Sequence, residues 1–256
     1  MARPESQPFP GLGSLAVAGA FLTRLPLRSR AGDDPEALAR AAFLFPLVGA
    51  GIGLAAGAAA LGLVEVLPAF LAGLLAVALE LALTGALHAD GLADSADGLG
   101  GSDRERSLAI MRDHTLGTYG ACALAIDLAL KAAALGALAE ADALGPVVAA
   151  LAISRATPLA LGRHLPYARA GEGTGRLLAG RVGTASVLIG TGLALALAVA
   201  TAGTAGLALF ACAAAVTAAV GLLAYRRLGG VTGDVMGAAI ELSATLALVL
   251  AVALKS

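Results

Sequence analysis

Between His88 and Asp97 the chain reads His-Ala-Asp-Gly-Leu-Ala-Asp-Ser-Ala-Asp. Asp90, Asp94 and Asp97 stand at i, i+4 and i+7, a spacing that puts three carboxylates on one face of a helix. Three like charges on one face repel unless a cation lies among them. Hard oxygen ligands favour Mg²⁺ for that place. Gly91, Ala93, Ser95, Ala96 and Gly98 fill the gaps and leave room for a bulky ligand. The segment lacks the glycine and terminal glutamate of an EF-hand, and no GK[ST] follows to make a phosphate loop. The expected chemistry is therefore metal-assisted work on an anionic, phosphorylated substrate. His88 is a candidate proton acceptor beside the acids, as are the carboxylates themselves.

The surrounding elements are of one kind. The chain has 256 residues, 59% of them hydrophobic and only 14% charged. An average soluble domain carries about 25% charged residues. The apolar residues come in long runs, which excludes an ordinary soluble protein and points to an all-α, polytopic membrane bundle. Seven windows suit spans: 41–64, 69–87, 119–138, 147–165, 184–202, 205–225 and 236–254. Residues 12–23 form a short helix that lies in the interface or dips into the bilayer. No soluble insertion separates the spans, so residues 1–256 read as one membrane-embedded catalytic domain. Glycine-rich spans suit close helix approach and self-association into a homo-oligomer. Net charge is −1, which implies no attraction to nucleic acid. Cys122 and Cys212 lie in apolar runs and read as packing.

The cations set the orientation. Arg3, Arg24, Arg28, Arg30 and Arg40 precede the first span. Arg104, Arg106 and Arg112, then Arg163, Arg169, Arg176 and Arg181, then Arg226 and Arg227 fall in the even-numbered connections. With seven spans all of them share one side, which the positive-inside rule makes cytoplasmic. The acid segment lies on that side. Ser102 with Glu105 reads as a capping box for a short helix ending near Asp113. Asp234 opens the last span within reach of the acids.

Glu80, Asp127, Lys131 and Arg155 fall inside spans, where charge is costly and each needs a reason. Asp127 and Lys131, four apart, are expected to pair. Glu80, two turns before His88, is expected behind or at the metal. Pro158 is expected to break its span and open a cavity near Arg155.

The stretch from Thr84 to Gly98 resembles the signature of the cobalamin synthase family, the adenosylcobinamide-GDP ribazoletransferases. Further blocks agree: Phe21 to Pro26, Phe45 to Gly49, Ile110 to Asp113 with Gly117 to Gly120, and Gly233-Asp234 with Gly237 to Leu242. Ser95 stands where that family commonly has threonine, and His114 where serine is frequent. The resemblance implies a Mg²⁺-dependent inner-membrane enzyme with a cytoplasmic active face. It would join adenosylcobinamide-GDP to α-ribazole or its 5′-phosphate and release GMP. On this reading Asp90, Asp94 and Asp97 hold metal, and His88, Asp90 or Asp94 moves the proton. Arg24, Arg112, Asp113, Arg155 and Asp234 bind substrate, with Glu80 behind them. CDP-alcohol phosphotransferases share an acid-rich helical face, but their Asp-Gly is followed by Ala-Arg where this chain has Ala93-Asp94. A transporter is the other class of reading, but there is no internal repeat.

Overall fold

A computed structural model describes residues 12–27, 35–171 and 173–255. Arg3, Arg28, Arg30 and Glu172 lie outside these described residues. The elements are helices α1 (Leu12–Leu22), α2 (Pro35–Ala41), α3 (Phe45–Val64), α4 (Ala69–Thr84), α5 (Leu87–Leu99), α6 (Arg104–Ile110), α7 (Thr118–Glu140), α8 (Leu144–Ser154), α9 (Thr157–His164), α10 (Thr184–Ala202), α11 (Ala205–Leu228) and α12 (Gly233–Lys255). The chain is a polytopic helical membrane protein with six helical stretches able to cross a bilayer, or seven with the bent pair α4 and α5. All seven sequence windows fall on these elements.

The outer surface shows why the bundle belongs in lipid. Leu54, Phe70, Leu74, Leu188, Leu207 and Leu222 point outward from four different helices. A water-facing surface would not carry such leucines all round. The spans α8 with α9 and α12 are the most buried and form the centre. α3 packs on α8, α4 on α7, and α11 on α12. Small residues set those distances. A Cβ at Gly49 would collide with the Leu151 carbonyl, and one at Gly53 would lie 3.0 Å from Val147 O. These glycines of α3 are thus used within the chain, against α8.

Two spans are not straight rods: the fourth breaks just before Pro158, as expected, and the second bends where no bend was expected. α4 stops at Thr84 and α5 leaves at 94° to it. The elbow is Gly85 and Ala86, both left-handed at φ +65° and +56°. Glycine takes that conformation freely, and alanine takes it only when its surroundings impose it. α5 therefore turns away from the span and runs along the end of the bundle. The fourth span breaks at Arg155 and Ala156, between α8 and α9. Pro158 sits in the first turn of α9, where its missing amide costs nothing.

α1 has 11 residues, about 16 Å of helix, too short to cross a bilayer. Its Phe21 ring stacks on Phe45 of α3, with centroids 5.6 Å apart. The cap of α6 is Asp103, one residue beyond the expected Ser102. Asp103 Oδ1 accepts from Arg106 N at 2.8 Å, and the Ser102 hydroxyl donates to Asp103 Oδ2 at 3.0 Å. An aspartate is as good an N-cap as a serine, so competition between neighbours decided the register.

Candidate active site

The site forms where α5 crosses α12. A Cβ at Gly91 would lie 2.8 Å from the Asp234 carbonyl oxygen, and one at Gly237 3.3 Å from His88 Cα. With hydrogens in both places the two helices touch backbone to backbone. That contact brings Asp234, at the start of α12, beside the α5 acids, as the sequence reading expected. Asp90 is exposed, while Asp94 and Asp97 are half-buried.

Desolvation, then the charges of Asp90 and Asp234, push the Asp94 carboxyl up to about 6. Proximity of like charges is thus a property of the folded site. Arg169 supplies the counter-charge. Its Nη2 donates to Asp234 Oδ2 at 2.6 Å and to Met111 O at 3.2 Å. A short backbone bridge sets this geometry: Ala168 N donates to Val231 O at 2.9 Å, and Val231 N to Pro166 O at 2.8 Å. The bridge ties the loop before Arg169 to the residues leading into α12.

Asp97 does something the spacing did not reveal. Its Oδ2 accepts from Gly117 N and its Oδ1 from Gly120 N, each at 2.8 Å. Both oxygens bracket the first turn of α7, where unpaired amides need acceptors. Asp97 is therefore first a helix cap, and the exposed acid face is carried by Asp90 and Asp94. Among the described residues, no three His, Cys, Asp or Glu groups converge closely enough to cage an ion.

His88 is buried at 3% exposure, and neither ring nitrogen has a hydrogen-bond partner among the described residues. It lines a cavity of about 60 Å³ with Phe21, Asp90, Thr174 and Asp234. A cavity of this size and polarity suits bound water.

The cations named from the sequence divide into three groups. Arg24 is exposed beside the elbow: its backbone amide donates to Leu83 O at 2.7 Å, and its side chain covers Gly85. Arg112 is exposed, with Nη2 3.3 Å from Ala170 O. Its neighbour Asp113 is exposed too, and the Thr115 hydroxyl and amide hold its carboxyl below the usual range. Arg104 and Arg227 are engaged elsewhere. Arg104 donates to Leu228 O at 2.7 Å and Ala168 O at 2.8 Å, and Arg227 to Gly101 O at 2.9 Å and Leu99 O at 3.1 Å. These two stitch helix ends to loops.

Arg155 is placed otherwise than expected. It is wholly buried, and its guanidinium donates to Glu80 Oε1 and Ser154 Oγ, both at 2.9 Å. Glu80 also lies 3.4 Å from Lys131. Lys131 contacts Glu241 directly, and Asp127 only at 3.9 Å. Asp127 instead accepts from the Thr245 hydroxyl at 2.6 Å. The expected Asp127–Lys131 pair is thus the loosest contact of a buried cluster joining α4, α7, α8 and α12. An ion inside a bundle must be paired, and here two cations, Lys131 and Arg155, serve three carboxylates. The cluster engages Arg155 and Glu80 with each other inside the bundle.

Arg169 is the site residue that the spacing did not single out. The sequence showed a loop with a cation and an aromatic, Tyr167. Nothing in that loop indicated a partner 65 residues away.

Residues 14–252 match the model of a family described as cobalamin-5-phosphate synthase. A protein of Leptothrix cholodnii named adenosylcobinamide-GDP ribazoletransferase is 43% identical over 240 residues, covering 88% of this chain and 89% of its own. Proteins of the same name from Azorhizobium caulinodans and Pseudomonas aeruginosa PAO1 are each 42% identical, over 90% and 91% of this chain and 92% and 94% of theirs. No solved structure matches the chain.

Proposed function

The chain belongs to the cobalamin-5-phosphate synthase family, and from that membership we propose that the α5–α12 crossing is where its transfer reaction takes place. The protein is a transferase of cobalamin biosynthesis. It passes the adenosylcobinamide-phosphate group of adenosylcobinamide-GDP to α-ribazole or its 5′-phosphate, and GMP leaves. A ribose hydroxyl of the acceptor attacks the cobinamide-linked phosphorus. The P–O bond to the GMP phosphate breaks, and the hydroxyl proton passes to a base. Such chemistry asks mainly for alignment and charge neutralisation.

The observation that carries this placement is the meeting of Asp90, Asp94 and Asp234 at one crossing, with Arg169 among them. Mg²⁺ fits that donor set in a particular way. It commonly uses one or two carboxylates, with waters and substrate phosphates filling the other positions. Asp90 and Asp94 would hold it so, and Asp97 keeps its capping duty. When bound, the ion would neutralise charge on the pyrophosphate. Arg169 is free to exchange Asp234 for a phosphate oxygen, a pairing that suits guanidinium geometry. Arg24 and Arg112, both exposed, add charge at the edges. The proton acceptor is assigned to the carboxylate pair, because His88 reaches outward only through the small cavity it shares with Asp90.

The arginines of the described connections lie at the acid-site end, which supports a cytoplasmic active face in the bacterial inner membrane. The chain acts as one catalytic unit. Gly49, Gly53 and Gly57 of α3 are spent on internal packing, whereas Gly51 and Gly62 of the same helix face open space and leave a surface for self-association. Purified protein in liposomes, given adenosylcobinamide-GDP, α-ribazole and Mg²⁺, should release GMP. A CDP-alcohol with an alcohol acceptor should release no CMP. The reverse pattern would transfer the site to the other phosphotransferase class.

A further inference from the structure

The break between α8 and α9 does more than interrupt a span. Beside it lies a groove of about 460 Å³ walled by α9, α10 and α11. Its floor along α11 is small: Ala214 and Ala218 leave space that larger side chains would fill, and Gly221 lies close under Leu161. Phe210 closes one end and Tyr225 stands at the other. These two are fifteen residues apart on one helix, which is about 22 Å. One leaflet's hydrocarbon is about half of a 30 Å core. The groove therefore exceeds the depth of a leaflet, and no carboxylate lines it.

Its Tyr225 end is cationic. His164 lines the groove there, at the last turn of α9. Arg163, the residue before it, donates from Nε to the Thr184 hydroxyl at 3.4 Å, across to the start of α10. Arg226 follows Tyr225 on α11 and is exposed. Each of two walls thus carries an exposed arginine next in sequence to a lining residue, Arg163 beside His164 and Arg226 beside Tyr225.

We propose that this groove binds one acyl chain of an anionic membrane phospholipid, with the lipid phosphate between Arg163 and Arg226. The apolar trough takes the chain, and the arginines distinguish an anionic head from a zwitterionic one. This site is separate from the α5–α12 crossing and does not depend on the transferase reading.

The test is native mass spectrometry of the full chain released from nanodiscs of phosphatidylcholine with a minor share of phosphatidylglycerol. Wild type should retain one phosphatidylglycerol per chain in preference to phosphatidylcholine. Ala214→Leu with Ala218→Leu fills the trough, and the loss of close packing against the chain should weaken retention severalfold. Arg163→Gln with Arg226→Gln, at exposed positions that leave the bundle's packing intact, should keep one lipid but lose the preference. Thermal unfolding confirms that each variant is folded. Equal retention of both lipids by wild type would overturn the proposal. So would undiminished retention by the filled groove, or displacement of the lipid one for one by adenosylcobinamide-GDP.

Discussion

Arg169 and Asp234 meet at 2.6 Å across 65 residues of sequence, at the point where α12 begins beside the acids of α5. The pair neutralises one carboxylate of a crowded group and, on the proposed function, supplies a guanidinium to a substrate phosphate. Arg169→Ala should therefore raise KM for adenosylcobinamide-GDP by roughly tenfold or more, with a smaller loss in the charge-conserving Arg169→Lys. Steady-state kinetics checks this. Equal kinetics for wild type and Arg169→Ala would reduce the pair to a structural tie.

Asp97 and Asp94 should separate in their failures. Asp97→Ala removes both acceptors from the first turn of α7 and should cost about 1–2 kcal/mol. Asp97→Asn keeps one acceptor and should cost less. Thermal unfolding in detergent reads that order. Activity should track stability for Asp97 variants, whereas Asp94→Asn should lose activity with little change in unfolding.

The raised Asp94 carboxyl gives a pH dependence of definite sign. Its folded value, about 6, exceeds the ordinary 3.8. Without metal, the folded protein holds this proton more tightly than the unfolded chain does. That contribution to stability is complete below about 4 and is lost as pH rises through about 6. Mg²⁺ needs the ionised form, so proton and metal compete. The acid limb of the GMP-release profile should lie near 6 at limiting Mg²⁺ and move to lower pH as Mg²⁺ is raised. A limb indifferent to Mg²⁺ would separate Asp94 from the metal.

The buried cluster predicts a different kind of damage. Arg155→Met leaves Glu80 with fewer partners inside the bundle and should destabilise by about 3–5 kcal/mol. Adding Glu80→Met should recover much of that loss, because it removes the stranded charge. Non-additivity in thermal unfolding is the readout. Cys122→Ala, at an exposed apolar position, should be nearly silent in both stability and activity.

How far the sequence foretold this site follows from which signals are local. Hydrophobic runs located every span, because burial in lipid acts on each segment alone. Helical spacing placed Asp90 and Asp94 on one face for the same reason. The elbow at Gly85 was not legible, since its left-handed continuation falls on an alanine that no propensity rule selects. Nor was the capping by Asp97, which depends on where α7 returns. Arg155 read as a phosphate ligand because an intramembrane cation demands a reason. The reason proved to be Glu80, 75 residues away. Arg169 was hidden likewise, since its partner is set by the bridge between Tyr167 and Val231.

On the proposed function, Asp90 and Asp94 work with Mg²⁺ at the α5–α12 crossing. The most direct test is a Mg²⁺ titration of GMP release by wild type and Asp94→Asn in liposomes, with adenosylcobinamide-GDP and α-ribazole saturating. Wild type should show no release without Mg²⁺ and saturate as it is added. Asp94→Asn, folded by thermal unfolding, should be slower by roughly 100-fold or more and need more Mg²⁺ for what activity remains. Wild-type release at full rate in a chelator, or an unchanged titration in Asp94→Asn, would contradict the account.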